Sequence, residues 1–378
     1  MLVADPARSL HANQRDAGAA AGNQVFRGVV KPVSALLDRP VYGPREDGEF
    51  LSEMEQLTLH HLAGCKLYKQ IWRGWQSGGG VAGLPFLHVG LFKRLLFCTD
   101  GLAHERILQS SSTISSQPSQ IILDKISSQL QSRSALAILK DFVGERKRPL
   151  LILDDSKSLR QRGTVSARMA AALSLSPLAT SMHFLLADAG RPESMKWDDL
   201  RSALAANREF LIYGSTWLLW LSWGAGSMPE DIRRQLQSKR IHFVHSGGWK
   251  KLEHLRVNRE EFDTRLTREL QPGSGVVDYY GLVEQVGVIY PLCEHGFRHV
   301  PIWADVLVRD PYTLQAVEDQ IGQIQLMNTL AHGAPYHSVL SEDVGSIISG
   351  PCPCGRSGKR FELLGRIPQA EVRGCANV

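Results

Sequence analysis

Three cysteines and one histidine near the C-terminus form a set of residues that could bind a metal ion. Cys293 and His299 make a C-x5-H pair, and Cys352 and Cys354 make a C-x-C pair further along the chain. Three thiolates and one imidazole are typical ligands of a closed tetrahedral Zn²⁺ site, although C-x-C is tighter than the usual C-x2-C. The alternative is a set of reduced loop cysteines with a solvated histidine. The pattern favours zinc.

A hydroxyl-rich segment could bind phosphate groups. The stretch 108–124, LQSSSTISSQPSQIILD, is a turn rich in Ser and Thr followed by a β-branched run. Such a loop offers hydroxyls and backbone N–H groups to phosphate oxygens. An isolated serine-rich segment is also typical of a plain surface loop. The candidate phosphate ligands are Ser110, Ser111, Ser112, Thr113 and Ser119.

Two further clusters each follow a buried-type strand. In FVHSGGWKK, Gly247 and Gly248 would let the backbone approach a ligand at the strand end, where ligands of open α/β sheets bind. In DYYGLVEQ, Tyr280 and Gly281 end a strand and Glu284 follows the turn. A carboxylate at that point could bind Mg²⁺ next to triphosphate oxygens. Taken singly, each cluster is as consistent with ordinary turn chemistry as with a binding site.

The elements that carry these clusters alternate between strand and helix. Short apolar runs predict strands, at Pro149–Leu153, Glu209–Tyr213, Ile241–His245 and Gly275–Tyr279. Helical spacing predicts helices, at Phe50–Leu62, Ala167–Leu175 and Asp198–Ala206. This alternation predicts an α/β fold with a mostly parallel sheet.

The texture of the sequence changes after about Gly281. Closely spaced strand candidates follow, separated by Gly, Pro and Asp turns, at Ala304–Arg309, Gln323–Met327 and Gly345–Ile348. We therefore expect three regions: an extension over residues 1–48, partly disordered; an α/β region over 49–281; and a smaller β-rich subdomain over 282–378.

Composition narrows the choice of partners and compartment. The formal net charge is +5, but the basic residues are scattered and form no aromatic-interleaved stripe, so nucleic acid is not expected as a partner. The N-terminus lacks a basic region followed by an apolar stretch, which predicts a cytoplasmic protein. The uncharged stretch Phe210–Pro229 is long enough for a membrane span, but Gly214–Thr216 interrupts it, which favours a strand, a turn and a buried helix.

The order of the clusters resembles a known family. The series SSSTISSQPS, HSGGWKK, DYYGLVEQ, SEDVG, CPCGRSG and GRIPQAEVRGC is similar to the acyl-protein synthetase of the bacterial luminescence fatty-acid reductase complex. That family is related to phenylacetate–CoA ligases, some of which look alike at the cysteine cluster, and to the wider adenylate-forming ligases. The resemblance runs from roughly Glu49 to the C-terminus. It implies the large-domain fold of those enzymes without the mobile C-terminal domain that carries a catalytic lysine.

The resemblance implies a role for each candidate residue. The 110–119 loop looks like the phosphate-binding loop, and Tyr280 with Gly281 looks like the turn beside adenine. Glu284 is similar to the carboxylate of the Mg²⁺-ATP site. Asp343 resembles the ribose-binding aspartate, and Arg366 the arginine that follows it. Together they would position the α-phosphate of ATP for attack by a substrate carboxylate.

The C-terminal tail carries the last candidate. Cys375 lies near Arg373, and a thiol near a cation can ionise and accept an acyl group. In the resembling synthetases a near-terminal cysteine accepts the acyl group and passes it to a partner reductase. Without that match, an incidental exposed cysteine is the default interpretation.

Three hypotheses for function follow. The first is an ATP-dependent ligase that converts a fatty or aryl acid to acyl-AMP and passes the acyl group to a protein thiol, with a reductase or carrier protein as partner. The second delivers the adenylate to CoA, a carrier protein or an amine. The third is a non-catalytic nucleotide-binding subunit, because family phosphate loops usually carry glycines where this chain has Ser112, Ile114 and Ser115.

Overall fold

The computed structural model describes residues 34–110, 118–159 and 164–367. The helices are α1 (Asp47–Gly64), α2 (Lys66–Ile71), α3 (Lys125–Val143), α4 (Ala167–Ser174), α5 (Trp197–Ala206), α6 (Thr216–Leu219), α7 (Glu230–Leu236) and α8 (Arg259–Thr267). Short 3₁₀ turns include Ala35–Asp38, Val89–Lys93 and Val283–Gln285.

Strands from the whole described chain build three sheets. They are β1 (Leu87–His88), β2 (His104–Gln109), β3 (Gln120–Asp124), β4 (Arg148–Ile152), β5 (Thr164–Ser166), β6 (Ala179–Phe184), β7 (Glu209–Ser215), β8 (Arg240–Ser246), β9 (Gly275–Tyr280), β10 (Tyr290–Pro291), β11 (Arg298–His299), β12 (Ala304–Arg309), β13 (Ala316–Val317), β14 (Gly322–Asn328), β15 (Ser338–Ile348) and β16 (Arg360–Arg366).

The first sheet is mostly parallel and has helices on both faces. Its order is β10-β9-β8-β7-β4-β6, and only the β10–β9 pair is antiparallel. Alternate side chains pack in opposite directions, as expected of a strand buried on both sides. Leu151, Ile212 and Phe243 lie in a core cluster with α5, α7 and α8. Leu150 and Leu211 lie in a second cluster with α3 and α4. The continuous apolar runs of β4 and β7 follow from this double burial.

The second sheet is mostly antiparallel. Its order is β11-β16-β15-β14-β12-β13, and β1 adds to β15 in parallel. Its core contains Trp303, Phe50 of α1, and Leu36 and Leu37, which lie inside the predicted N-terminal extension. The buried indole of Trp303 donates a hydrogen bond to Ser134 Oγ of α3 at 2.7 Å, so its one polar atom is satisfied. The predicted boundary after residue 281 stays a prediction.

The third sheet positions the serine-rich loop. Strands β2 and β3 are antiparallel, β5 pairs in parallel with β2, and the loop joins β2 to β3. Helix α3 begins directly after β3, where the Asp124 carboxylate accepts hydrogen bonds from the backbone N–H groups of Ile126 and Ser127. Such an N-cap stabilises a helix by about 1 kcal/mol. It fixes the point at which the hairpin turns into the helix.

The structure confirms the predicted elements. Each predicted strand of the parallel sheet differs from the observed one by a few residues at most, and Ala304–Arg309 matches β12 at both ends. Gly345–Ile348 is only the second half of β15, because the polar residues that precede it gave no apolar signal. The stretch Phe210–Pro229 contains β7, α6 and a π turn at Trp220–Gly224. Among the described residues, no helix has the length and apolar character that a membrane span requires.

Four histidine rings cluster where α1 contacts the β14–β15 connection. His60 and His61 of α1 lie against His332 and His337 from the β14–β15 connection, and the His61 and His337 rings stack with centroids 4.9 Å apart. His61 bonds to Thr99 Oγ1 and to the Ala331 carbonyl, both at 2.8 Å. Burial, together with neighbouring imidazoles, holds the pKa of His61 well below its usual range and lowers the pKa of His332 to about 4 and of His337 to about 3.

This cluster predicts a loss of stability in mild acid. Below pH 6.5 these histidines bind protons in the unfolded chain but stay neutral in the folded chain, because folding lowers their pKa values. The free energy of unfolding should therefore fall as the pH drops from about 6.5 toward 4, by roughly 1 kcal/mol per pH unit for each buried histidine. His332→Asn removes one titrating ring and should make the slope shallower, measured by urea unfolding at several pH values.

His183→Asn is the matched control for this measurement. His183 lies on β6, its Nε2 atom is 2.8 Å from Ser181 Oγ, and it belongs to no buried histidine cluster in the described chain. Its replacement should leave the pH slope unchanged. Equal slopes for wild type and His332→Asn would show that the buried rings do not control acid stability.

Candidate functional site

The carboxyl ends of the parallel strands border the candidate site. β7, β8 and β9 run side by side, with His245 of β8 opposite Asp278 of β9, so their following loops emerge along one edge. Gly247 and Gly248 follow β8 with φ of 91° and 60°, conformations that favour glycine. No atom lies within 4 Å of a Cβ built at either position. The predicted glycine pair is therefore an open turn at this edge.

Asp343 of β15 joins two of the predicted residues. Its Oδ2 atom accepts a hydrogen bond from the Tyr280 hydroxyl at 2.7 Å, and its Oδ1 atom accepts one from Arg366 Nε at 2.9 Å. Asp343 and Arg366 are also register partners on β15 and β16. The Asp343 side chain is 10% exposed, whereas that of Arg366 is 71% exposed. The structure thus brings together the predicted ribose-binding and adenine-side residues.

Glu284 is buried at the edge of the same region. It lies on the 3₁₀ turn Val283–Gln285, which packs against β3 and β14. Burial raises the pKa of Glu284, and the nearby Ser119 side chain acts in the opposite direction. The Ser119 hydroxyl is itself buried and makes no hydrogen bond of ordinary geometry to the described residues. A buried carboxylate beside a buried hydroxyl with free bonding capacity fits a Mg²⁺-phosphate site.

The residue after Glu284 fixes this turn in the core. Gln285 is fully buried, its Nε2 atom donates to the Tyr336 carbonyl at 2.6 Å, and its Oε1 atom accepts from Asn328 Nδ2 at 2.7 Å. The nitrogen and the oxygen of the Gln285 side-chain amide therefore each have a hydrogen-bond partner in the β14–β15 region. Glu284 is held beside the second sheet by this bonded neighbour.

Electrostatic effects connect Glu284 to the Asp343 pair. Glu342, next to Asp343, raises the pKa of Glu284 and also acts on Arg366 and His88. Lys93, at the end of the turn Val89–Lys93, lowers the pKa of both Glu284 and His88. The turns that carry Lys93 and Glu284 both pack against β3, and His88 pairs with Leu340 of β15, so these residues lie in one part of the fold. Sequence reasoning missed three of them: Glu342, His88 and Lys93.

Only part of the predicted phosphate loop can be placed. Ser110 and Ser119 close its neck: the Ser110 N–H donates to the Ser119 carbonyl at 3.1 Å, and the Ser119 N–H donates to Ser110 Oγ at 2.9 Å. The loop between them therefore starts and ends beside Glu284. Ser111, Ser112 and Thr113 lie outside the described residues, as does Cys375. Gly281 follows β9 at the strand edge, where Ile289 is in ordinary contact range of it.

The four predicted zinc ligands form a compact cluster. Their ligand atoms all lie within 4.8 Å of one another. Cys293 Sγ is 3.9 Å from Cys352 Sγ, and Cys354 Sγ is 3.2 Å from His299 Nε2. A tetrahedral site with Zn–S bonds of about 2.3 Å and a Zn–N bond of about 2.0 Å puts neighbouring ligand atoms roughly 3.5–3.8 Å apart. The cluster fits that size.

Two turns position these four side chains. Cys293 begins the connection from β10 to β11, where the Gly296 N–H donates to its carbonyl at 2.9 Å. Cys352 and Cys354 lie between β15 and β16, where the Gly355 N–H donates to the Cys352 carbonyl at 3.0 Å. Arg356 fastens this second turn to α3 through Asp141, at 2.7 Å. His299 and Cys293 therefore come from one hairpin, and the C-x-C pair from another.

Known proteins resemble this chain in sequence. The family model for the acyl-protein synthetase LuxE matches residues 59–378. The long-chain-fatty-acid–luciferin-component ligase of Aliivibrio fischeri is 27% identical over 140 residues, 36% of this chain and 36% of the relative. The ligase of the same name from Vibrio harveyi is 27% identical over 139 residues, with the same shares. The aligned segments thus span about a third of each relative.

Solved structures resemble the chain in fold. An open conformation of 2-hydroxyisobutyryl-CoA ligase, in complex with 2-HIB-AMP and CoA, has a TM-score of 0.62 at 16% identity, covering 89% of this chain and 79% of that one. The same ligase in its thioesterification state has a TM-score of 0.58 at 15% identity, covering 88% and 71%. The chain therefore has an adenylate-forming ligase fold and, by its match over residues 59–378, belongs to the LuxE acyl-protein synthetase family.

Proposed function

We propose that the chain uses ATP and Mg²⁺ to convert a fatty or aryl carboxylic acid into an acyl-adenylate and then transfers the acyl group to a protein thiol. The observation that carries the proposal is the single neighbourhood of Asp343, Tyr280, Arg366, Glu284 and Ser119 at the carboxyl edge of the parallel sheet. Family membership supports the same chemistry. The fold resemblance is consistent with it.

Asp343 can bind the ribose hydroxyls of ATP without giving up its protein partners. A carboxylate has about four lone-pair sites, and Asp343 uses one on each oxygen. Tyr280 and Arg366 orient the carboxylate, and the remaining lone pairs accept the 2′- and 3′-hydroxyls. The exposed Arg366 guanidinium keeps donors available for the α-phosphate.

Glu284 would hold the Mg²⁺ ion, and the neck of the serine-rich loop would contact the polyphosphate. Mg²⁺, when bound by Glu284, would neutralise charge on the phosphate oxygens. The Ser119 hydroxyl lies beside Glu284 and supplies a donor to a phosphate oxygen. A substrate carboxylate oxygen attacks the α-phosphorus, the bond from the α-phosphorus to the bridging oxygen breaks, and pyrophosphate takes the electron pair. The product is acyl-AMP.

The second step transfers the acyl group to sulfur. The Cys375 thiolate attacks the carbonyl carbon of acyl-AMP, AMP leaves, and a thioester forms. A partner reductase or carrier protein would then accept the acyl group. The alternative is delivery of the adenylate to CoA, a carrier protein or an amine. Pyrophosphate release with a panel of acids separates both from a non-catalytic nucleotide-binding subunit.

The cysteine cluster is proposed to hold a structural Zn²⁺ ion. Cys293, His299, Cys352 and Cys354 would be its four ligands, which leaves no position for substrate. The ion would crosslink the β10–β11 and β15–β16 connections. The cluster then stabilises the sheet that carries Asp343 and Arg366, without taking part in the reaction.

Loss of either key carboxylate should abolish adenylate formation. Glu284→Gln removes the Mg²⁺ ligand and should reduce acid-dependent pyrophosphate exchange at least 100-fold, a typical size for an essential electrostatic group. Stability should not fall, because a neutral amide replaces a carboxylate whose ionisation burial disfavours. Asp343→Ala should abolish exchange by removing the ribose anchor. Exposed Glu193 offers the control Glu193→Gln, and wild-type exchange in either site variant would contradict the assignment.

Protein purified without added zinc should contain about one Zn²⁺ per chain. Cys352→Ser combined with Cys354→Ser should remove the metal and lower the melting temperature, because both thiolates leave the cluster. Cys98→Ser, outside the cluster, should keep the wild-type metal content. The measurement is metal analysis by mass spectrometry. A metal-free wild type would remove the site.

Cys375→Ser should separate the two chemical steps. Adenylation needs only the nucleotide site and the acid, so pyrophosphate release should persist in the variant. Protein-bound acyl label that hydroxylamine strips should disappear, because an unactivated serine is a poor nucleophile. Cys98→Ser is the control and should keep the label. A labile acyl group at wild-type level in Cys375→Ser would move the acceptor to CoA or a carrier thiol.

A further inference from the structure

Lys93 lies where three parts of the candidate site meet. The turn Val89–Lys93 packs against β15, which carries Glu342 and Asp343, and against β3, which starts next to Ser119. The preceding strand β1 fixes the turn by pairing His88 with Leu340 of β15. The end of the turn is therefore held between the neck of the serine-rich loop and the second sheet.

Two acidic side chains and one basic side chain act on this point. Glu284 and Glu342 are carboxylates, and Lys93 is the positively charged side chain with the largest effect on Glu284. His88 Nδ1 accepts a hydrogen bond from the Gly90 N–H at 3.1 Å. Partial burial and the Lys93 charge lower the pKa of His88, so His88 is neutral at pH 7. Among Glu284, Glu342, His88 and Lys93, Lys93 alone is positively charged at pH 7.

The Lys93 ammonium group is free to bind a substrate. In the described part of the chain it makes no ion pair within 4.0 Å, whereas Arg366 and Arg298 are paired with Asp343 and Asp278. An ammonium group has three donors and binds phosphate as a compact point charge. The turn that ends at Lys93 packs against β3, as does the turn that carries Glu284, the proposed Mg²⁺ ligand. Lys93 is therefore on the side of the site that would receive the outer phosphates of ATP.

We propose that Lys93 binds the β- and γ-phosphates of ATP and holds pyrophosphate as it leaves. The proposal rests on the function proposed above. When the bond from the α-phosphorus to the bridging oxygen breaks, the electron pair goes to pyrophosphate, and the charge of the leaving group grows next to the Lys93 ammonium. A fixed cation at that point lowers the energy of the transition state more than that of the ground state.

The decisive measurement compares MgATP with two ligands that each carry one part of it. Calorimetry gives the affinity of the purified chain for magnesium pyrophosphate, MgATP and AMP. Lys93→Gln should weaken pyrophosphate and MgATP at least about tenfold, the size of one lost charge-assisted contact, and leave AMP unchanged. Lys93→Arg should keep most of the affinity, because the charge remains. Lys66→Gln, an exposed lysine of α2, is the matched control and should bind all three ligands normally.

Every other outcome either overturns the inference about Lys93 or contradicts the proposed ligase function alone. Wild-type affinity for pyrophosphate in Lys93→Gln would overturn it. Equal losses of affinity for pyrophosphate and AMP would also overturn it, because they would assign Lys93 a role in folding of the site. A wild-type chain that binds no pyrophosphate would overturn it as well. If the wild type binds pyrophosphate through Lys93 but releases none with any acid, the ligase function fails and the Lys93 site stands.

Discussion

The Asp343 carboxylate is the point at which the two large sheets meet in the candidate site. Tyr280, at the end of the parallel sheet, donates to one oxygen, and Arg366, on the antiparallel sheet, donates to the other. Because both bonds are short and one partner is charged, they restrict the carboxylate more than packing alone would. The distance between the carboxyl edge of the parallel sheet and the strands of the antiparallel sheet depends on this contact.

Burial of Glu284 imposes a second constraint on the same region. A buried carboxylate is costly, so the fold must hold it in place by other means. The bonds from Gln285 to Asn328 and Tyr336 do this, and they tie the turn to the connection that also contains His332 and His337. The histidine cluster and the candidate site therefore share one supporting segment of chain.

The sequence allowed prediction of the residues that lie at strand ends. Gly247, Gly248 and Tyr280 follow apolar runs that end in turns, and parallel strands bring such ends together. Lys93 could not be found this way, because it does not follow a predicted strand and its turn has no motif. Glu342 was within reach, since it lies in the SEDVG motif next to Asp343, but a half-buried acidic residue carries no distinguishing signal of its own.

Strand β16 ends at Arg366, inside the candidate site, and Cys375 follows nine peptide bonds later. Nine residues span at most about 30 Å, so covalent geometry alone keeps the sulfur within about that distance of Arg366. On the proposed function, that tether corresponds to an effective thiol concentration in the millimolar range. Under that proposal, a free thiol would need a comparable concentration to intercept the adenylate, so the tether would favour Cys375 over free thiols kinetically.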